Sequence, residues 1–175
     1  AFTKCRFVSG NADLFKIFYT HYIQTVIGKD STIIRKEMFE MRKKLNPAID
    51  SLFNIKKSSG GLADIDFIVS FYLLTNLDLL IVRNEKGIYN SFELMQKVST
   101  KEINFNQLEE YYYLLKKIEL VNQLIFNNRL SKIPAEETKI KKLAKELGFS
   151  NSELFLNKLS SIIEQTRKQY QKIFN

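Results

Sequence analysis

The sequence predicts an all-α protein, a single helical bundle of about seven helices, and two features of the chain carry this prediction. Apolar residues recur at intervals of three and four along most of the 175 residues, which is the spacing of one helix face. Only 6 Gly and 2 Pro interrupt these runs. Because no internal repeat and no domain linker separate the runs, residues 1–175 are expected to form one domain.

The first two predicted helices have apolar stripes and recognisable ends. The first runs from Asp13 to Ile27, is capped by Asn11 or Asp13, and ends at Gly28. Its apolar positions are Leu14, Ile17, Phe18, Tyr22 and Ile23. The second opens at Ser31 or Thr32 and ends before Pro47, and its stripe comprises Ile34, Met38, Met41 and Leu45.

The most apolar stretch of the chain, from about Leu62 to Leu77, follows a turn at Ser58-Ser59-Gly60-Gly61. Apolar residues cover most of its circumference, which is typical of a buried central helix. A strand is the alternative, because Ile, Val and Phe are abundant. The run exceeds about 12 residues without a turn signal, and this length favours a helix.

The rest of the chain reads as a polar loop and four further helices. The loop is expected at Arg83 to Gly87. A capping box at Ser150-Asn151-Ser152-Glu153 opens the last helix. The helices are expected at about Ser91–Val98, Asn106–Asn127 (with Leu108, Tyr111, Tyr112, Leu115, Ile118, Val121, Leu124 and Ile125 inward), Ala135–Leu147 and Ser150–Phe174 (with Leu156, Leu159, Ile163, Tyr170 and Phe174 inward).

The residue counts exclude several classes of site. Cys5 is the only cysteine and His21 the only histidine, so an internal disulfide and Cys/His zinc clusters are excluded. The chain fits a reducing compartment, has no uncharged apolar run of about 18 residues, and is expected to be cytoplasmic. The net charge of +8 suits nucleic acid or an acidic partner, but Lys and Arg alternate with Asp and Glu, as on solvated helix faces.

Asp64 and Asp66 after the double glycine are the candidate functional residues, and several interpretations compete. A phosphate site at the helix N-terminus is disfavoured, because the acids themselves occupy the first turns. A two-metal nucleotidyltransferase site requires a strand, since residues two apart on a helix point about 200° away from each other. An interface with a partner and a structural role, in which the acids pair with cations such as Arg42, remain equally open.

Two further features have structural interpretations. The run Tyr111-Tyr112-Tyr113 resembles an aromatic stacking platform. On a helix its rings splay by about 100° each, so core packing of two of them is favoured. Arg6 and Arg42 stand next to apolar runs and are candidate partners for the two acids.

Five segments match, in order and approximate spacing, the motifs of one known family. Its A-R-x-V-A-G-D and E-M-R patterns are similar to residues 5–11 and 40–42. Its signature K-x-G-x-G-G-[IL]-x-D-I-E-F-[IL]-V is similar to residues 56–69. Its Y-x-F-L-R-x-x-E and L-A-R-x-L-G-Y patterns are similar to residues 112–119 and 143–149. The chain therefore resembles a helical domain of glutamine synthetase adenylyltransferase, the bifunctional adenylylating and adenylyl-removing enzyme.

The chain departs from these patterns at several positions. Asn11 stands where the family has Asp, Asp66 where it has Glu, and Ser58 where it has Gly. Residues 120–123 replace the family's R-L-Q, which puts a polar role of the long helix in doubt. Met41-Arg42 and Ala63 look more like the C-terminal, adenylylating copy of the domain.

The resemblance implies a domain without catalytic or metal-binding residues of its own. In the family the catalytic site belongs to a preceding nucleotidyltransferase domain, to which residues 1–12 would be the connection. ATP and Mg²⁺ would bind in the parent enzyme, whose partners are glutamine synthetase and a PII-type protein. The residues expected to frame the nucleotide site at the domain interface are Lys56, Gly60, Gly61, Asp64 and Asp66, supported by Arg6 and Arg42.

Two other functions remain as alternatives from the sequence alone. One is a basic helical binding module for nucleic acid or an acidic protein, for which a nucleic-acid partner is disfavoured by the interleaved charges. The other is a small self-sufficient nucleotidyltransferase, which would require Asp64 and Asp66 to lie on a strand.

Overall fold

The computed structural model describes residues 2–45, 53–85, 90–98, 100–127 and 131–175. A short 3-10 helix, Phe2–Lys4, precedes eight α-helices in these ranges. Their bounds are α1 Ala12–Val26, α2 Ser31–Leu45, α3 Leu62–Thr75, α4 Leu77–Glu85, α5 Ser91–Met95, α6 Phe105–Phe126, α7 Glu137–Glu146 and α8 Ser152–Phe174. The described residues form no strand, only one isolated antiparallel bridge between Asn54 and Lys132. The predicted all-α class is confirmed.

Helix α3 lies at the centre of the bundle, where it contacts α2, α4, α5, α6 and α8. Eight of its 14 residues are buried, and Ile65 and Ile68 are completely inaccessible. Its sequence is apolar on most faces because neighbours cover most of its circumference. The prediction of a buried central helix is confirmed, and the alternative of a strand is wrong.

The helix that begins at Leu62 ends earlier than predicted, and a separate helix follows. The Asn76 side chain donates to the carbonyl of Tyr72 at 2.8 Å, and the Thr75 hydroxyl donates to the carbonyl of Phe71 at 3.0 Å. These bonds satisfy carbonyls at the end of α3. The chain then bends by 104° between α3 and α4. The predicted helix through Leu77 and loop from Arg83 are therefore wrong, since Arg83 belongs to α4.

No single helix in the described ranges is both long and apolar enough to cross a membrane. Only α3 and α4 taken together, as a broken pair, reach that length and composition.

Asparagine side chains define the start of several helices. Asn11 accepts from the amides of Asp13 and Leu14, which confirms it as the N-cap of α1. The cap of α8 is Asn151, which accepts from the amide of Leu154 at 2.8 Å. The N-cap is therefore one residue later than Ser150, the first residue of the predicted capping box. Residues 46–52, with Pro47, and residues 86–87 of the predicted loop lie outside the described residues.

Several predicted core residues are exposed, because periodicity marks an apolar face without saying which neighbour covers it. On α1 the buried side chains are Tyr19, Ile23 and Val26. On α2, Arg42 is buried where the predicted stripe has Met41. The predicted core residues that are instead exposed are Leu14 (65%), Ile17 (54%), Phe18 (41%), Met41 (45%), Leu45 (45%) and Leu124 (73%).

Two buried tyrosines differ in what their hydroxyl groups meet. The Tyr19 hydroxyl donates to the carbonyl of Leu80 at 2.8 Å. The Tyr170 hydroxyl, which is also buried, has no hydrogen-bond partner among the described residues, while its ring stacks on Phe174. Burial raises the pKa of both phenols to about 12. Both hydroxyl groups are therefore neutral, but only for that of Tyr19 does a hydrogen bond offset the cost of burial.

This difference predicts opposite effects of removing the two hydroxyl groups. We expect Tyr19→Phe to lower the free energy of unfolding by about 1 kcal/mol, because a buried hydrogen bond is lost. Tyr170→Phe should leave it unchanged or raise it by up to about 1 kcal/mol, because an uncompensated buried hydroxyl is removed. Urea unfolding at neutral pH measures both. Equal destabilisation by the two substitutions would contradict the difference in hydrogen bonding between Tyr19 and Tyr170.

Candidate functional site

The segment before α3 folds into consecutive tight turns. The amide of Ser58 donates to the carbonyl of Asn54 at 3.0 Å, and that of Gly61 donates to the carbonyl of Ser58 at 2.9 Å. Gly60 has a φ of +85°, a left-handed conformation that other residues rarely adopt. The amide of Leu62 then donates to the carbonyl of Ile55 at 2.9 Å. These turns reverse the chain and fix the first residue of α3.

Both glycines of the turn are required by close packing. A Cβ at Gly60 would lie 2.0 Å from the carbonyl oxygen of Ile163 on α8. A Cβ at Gly61 would lie 2.6 Å from the carbonyl oxygen of Ile55. Arg167, one turn further along α8, donates to the hydroxyl and the carbonyl of Ser59 at 3.1 Å each. Gly60 therefore allows the turn to pack directly on α8, and Gly61 allows the turn to close on its own backbone.

Asp64 forms a buried ion pair that joins α2, α3 and the turn. One carboxylate oxygen accepts from Nε of Arg42 at 2.5 Å, and the other accepts from the amide of Gly60 at 2.5 Å. Nη2 of Arg42 also donates to the carbonyls of Lys57 and Ser58. Burial raises the pKa of the Asp64 carboxyl, while Arg42 and the Gly60 amide act in the opposite direction. The predicted pairing of Arg42 with one of the two acids is confirmed.

Asp66 lies on the other side of α3, at the surface. Its carboxylate pairs with Nζ of Lys4 at 2.6 Å, and its side chain is 41% exposed. Because Asp64 points into the protein and Asp66 outward, the two carboxylates do not fit a shared magnesium ion. Among the residues that the structure describes, no group of three or more Asp, Glu, His or Cys side chains could hold a metal.

A row of charged side chains continues from Asp66 across α6. Nζ of Lys116 pairs with Glu119 at 2.9 Å, and the Ser131 hydroxyl donates to the same carboxylate at 2.5 Å. The negative charge of Asp66 raises the pKa of Lys116, and the positive charge of Lys56 lowers the pKa of Glu119. We call these four residues, Lys56, Glu119, Lys116 and Asp66, the charged row. They come from two parts of the chain that are distant in the sequence, residues 56–66 and residues 116–119.

Hydrogen bonding fixes the charge state of the pair on α6. Burial alone would raise the pKa of Glu119, but hydrogen bonds from Ser131 and Lys116 lower it overall. Burial would lower the pKa of Lys116, but the bond to Glu119 raises it overall. Both groups are therefore ionised at neutral pH. Glu119 itself is buried, so the row presents Lys56, Lys116 and Asp66 at the surface.

The residues predicted from the sequence divide into an internal and a surface group. Gly60, Gly61, Asp64 and Arg42 are buried, whereas Lys56 and Arg6 are exposed and Asp66 is half-buried. Lys4, Lys116 and Glu119 were not among the predicted site residues. Lys116 and Glu119 lie in a segment that matches a family motif, and this was the available signal for them. No sequence signal pointed to Lys4.

Comparison with known proteins agrees with these motifs. The family model described as GlnD PII-uridylyltransferase matches residues 34–175. Three relatives are named bifunctional glutamine synthetase adenylyltransferase/adenylyl-removing enzyme. They come from Nitrosomonas eutropha (29% identity over 69% of this chain), Chromobacterium violaceum (34% over 50%) and Nitrosococcus oceani (36% over 42%).

The matches cover only a small part of each relative. The aligned regions span 13%, 12% and 8% of the Nitrosomonas, Chromobacterium and Nitrosococcus proteins. The family model, in contrast, covers most of this chain, from α2 to the end of α8. The chain therefore belongs to the family described as GlnD PII-uridylyltransferase, and the resemblance to glutamine synthetase adenylyltransferase that its motifs carry is confirmed.

Proposed function

We propose that the chain is a non-catalytic helical domain of a glutamine synthetase adenylyltransferase. In this role it supports ATP-dependent adenylyl transfer to glutamine synthetase, or removal from it, as part of nitrogen regulation. The similarity to proteins that bear this name supports the proposal. We assign the chemistry to a nucleotidyltransferase domain elsewhere in the parent enzyme, where ATP and Mg²⁺ would bind.

The charged row is the observation that carries this proposal. Asp66 belongs to the glycine–aspartate signature, Lys56 to its first part, and Lys116 and Glu119 to the motif on α6. The buried members of the signature, Gly60, Gly61 and Asp64, build the turn that places this row. A purely structural motif would leave no reason for Lys56, Asp66 and Lys116 to meet at one surface. We therefore propose that the row, with Arg6 beside it, contacts the catalytic domain near its nucleotide.

The outer face of α1 supports a neighbouring domain as the partner. Leu14, Ile17 and Phe18 are 41–65% exposed and follow one another at helical spacing. Phe7 and Val8, which precede α1, are exposed as well. Contiguous exposed apolar side chains mark interaction surfaces. Residues 1–12 would connect to the catalytic domain on this side, and glutamine synthetase and a PII-type protein would be partners of the parent enzyme in the cytoplasm.

Adenylyl transfer by the full-length product of the reading frame that encodes this chain tests the proposal. We expect it to label glutamine synthetase from ATP carrying a labelled α-phosphate, whereas the 175-residue chain alone should not. Lys116→Gln and Asp66→Asn should each lower the rate about tenfold, which corresponds to one charged hydrogen bond of about 1.5 kcal/mol.

The matched control is Lys139→Gln on α7. Lys139 and Glu136 form an ion pair three residues apart in the sequence, as Lys116 and Glu119 do. Unlike that pair, Lys139 and Glu136 are both well exposed and lie outside the charged row. Its transfer rate should equal that of the wild type. A full-length protein that labels nothing would contradict the proposed function. Unchanged rates in the Lys116 and Asp66 variants would contradict the role of the charged row.

A further inference from the structure

A second surface feature, a cavity of about 340 Å³, lies beside the charged row. The N-terminal segment, α3, α4, α5 and α6 all contribute to its wall. Of the described residues, three cations line it, Lys4, Arg6 and Arg83, against a single carboxylate, that of Asp66. The cavity thus carries an excess of positive charge, and its size falls within the range of about 300–1,000 Å³ typical of small-molecule sites.

Arg83 is the unusual residue of this cavity. It is only 7% exposed, and no carboxylate pairs with it among the described residues. Nη1 donates to the carbonyl of Thr3, while the buried Nε has no hydrogen-bond partner in the described part of the chain. Burial lowers the pKa of this guanidinium and the charge of Arg6 lowers it further, while Tyr19, Cys5 and Tyr22 act in the opposite direction.

A buried guanidinium without a counter-charge is unfavourable unless an anion completes it. Taking a cation out of water costs several kcal/mol, and the partner charge normally offsets this. Arg42, the other buried arginine of the described ranges, has such a partner in Asp64. Arg83 lines the cavity together with Lys4 and Arg6, which add further positive charge.

The cavity is also lined by aromatic and polar side chains. Phe92, Tyr112 and Tyr113 line it, with their neighbours Asn90 and Ser91. The rings of Tyr112 and Tyr113 meet edge to face at 5.9 Å, and Tyr113 is 52% exposed. Half-exposed rings of this kind can stack on a planar group of a ligand.

We propose that this cavity binds a phosphate group, held by Arg83, Arg6 and Lys4. Guanidinium groups match the geometry of phosphate oxygens and form paired hydrogen bonds with them. The phosphate can be inorganic or part of a nucleotide, whose base would then meet Tyr113. The site is built from the residues of this chain alone, so it does not depend on the proposed adenylyl transfer.

Calorimetric titration of the 175-residue chain tests the site directly. The probes are inorganic phosphate, ADP and adenosine, at low ionic strength. We expect saturable 1:1 binding of phosphate, ADP or both, and none of adenosine, which lacks the phosphate. The double variant Lys4→Gln, Arg6→Gln should weaken this binding at least tenfold, because two of the three cations are lost. Both side chains are exposed, so the variant should fold.

The matched control removes the same charge elsewhere. Lys145 on α7 and Lys158 on α8 are exposed and do not line the cavity. The double variant Lys145→Gln, Lys158→Gln should retain the affinity of the wild type within about twofold. An equal loss in both double variants would mean general attraction to a basic chain and would overturn the site. Absence of saturable binding to either phosphate probe would overturn it as well.

Two single variants refine the assignment. Arg83→Met should abolish phosphate binding, with thermal unfolding as the check that the variant is folded. A folded Arg83→Met variant that binds like the wild type overturns the site. Tyr113→Ala distinguishes the two sources of phosphate, because it should weaken ADP only when the base stacks on this ring. Weaker ADP binding with unchanged phosphate binding identifies a nucleotide site, and unchanged binding of both identifies a phosphate site.

Discussion

Replacing Gly60 by Ala is expected to lower the free energy of unfolding by about 3 kcal/mol, the sum of backbone strain and overpacking. The left-handed conformation at φ +85° accounts for about 1–2 kcal/mol of this. The remainder arises because the new Cβ would lie 2.0 Å from the carbonyl oxygen of Ile163, and backbone atoms cannot move aside as a flexible side chain can. Thermal unfolding should show a midpoint about 6–12 °C below that of the wild type.

Gly148 provides a control with the same backbone conformation and free space. It also has a φ of +85°, but nothing lies within 4 Å of the position of its Cβ. Gly148→Ala should therefore show only the strain, about 1–2 kcal/mol. A Gly60→Ala variant as stable as Gly148→Ala would mean that the turn does not pack on α8 as described. The difference between the two variants thus isolates the contact with Ile163 from the effect of φ.

The parts of the fold that could be predicted are those set by local sequence. The long, mostly apolar run from Leu62, which has no turn signal within it, identified the central helix, and Asn11 and the double glycine identified a cap and a turn. Each signal acts within a few residues, so it needs no knowledge of the neighbours. The bend at Asn76 was missed because apolar residues continue on both sides of it and no Gly or Pro marks the break.

The exposed faces of the helices could not be predicted in the same way. Leu14, Ile17 and Phe18 have the spacing of a core face, yet the bundle covers the adjacent face that carries Tyr19 and Ile23. On α2, Arg42 is buried because Asp64 and two carbonyls receive its guanidinium. The choice between such faces depends on tertiary contacts that hydrophobic periodicity does not encode.

Only the part of the candidate site whose residues are close together in the sequence could be predicted. The spacing of Asp64 and Asp66 on a helix was enough to separate their carboxylates. Lys4 and Lys116, which surround Asp66, have long flexible side chains and lie about 50 or more residues away in the sequence. Their position follows from the packing of the N-terminal segment and α6 on α3, so only the structure identifies them.

The Arg42–Asp64 pair gives the second prediction with a large effect. Replacing Arg42 by Met should lower the free energy of unfolding by about 3–5 kcal/mol at neutral pH, because Asp64 is then a buried charge without its partner. The variant also leaves the carbonyls of Lys57 and Ser58 without their donor. Urea unfolding measures the change. The matched control is Lys4→Met, which breaks a pair of similar length at the surface and should cost no more than about 1 kcal/mol.

The dependence of this loss on pH distinguishes the ion pair from simple packing. Burial already raises the pKa of Asp64, and loss of Arg42 removes the main opposing influence. A carboxyl with a raised pKa keeps its proton in the folded chain over a range where the unfolded chain has released it. The stability of the variant is therefore retained below the ordinary pKa of Asp and falls as pH rises through the raised value. The deficit relative to the wild type should grow as pH rises above the pKa that Asp64 has in the wild type, toward neutrality.

Neutralising the second partner completes the test. In the double variant Arg42→Met, Asp64→Asn neither residue of the pair carries a charge, and the Asn oxygen can still accept from the Gly60 amide. We expect this variant to regain part of the loss at neutral pH and to lack the growth of the deficit with pH. If the single and double variants lose equal stability at every pH, Arg42 acts through the carbonyls and its methylene groups, and the charge of Asp64 makes no contribution to holding α2 on α3.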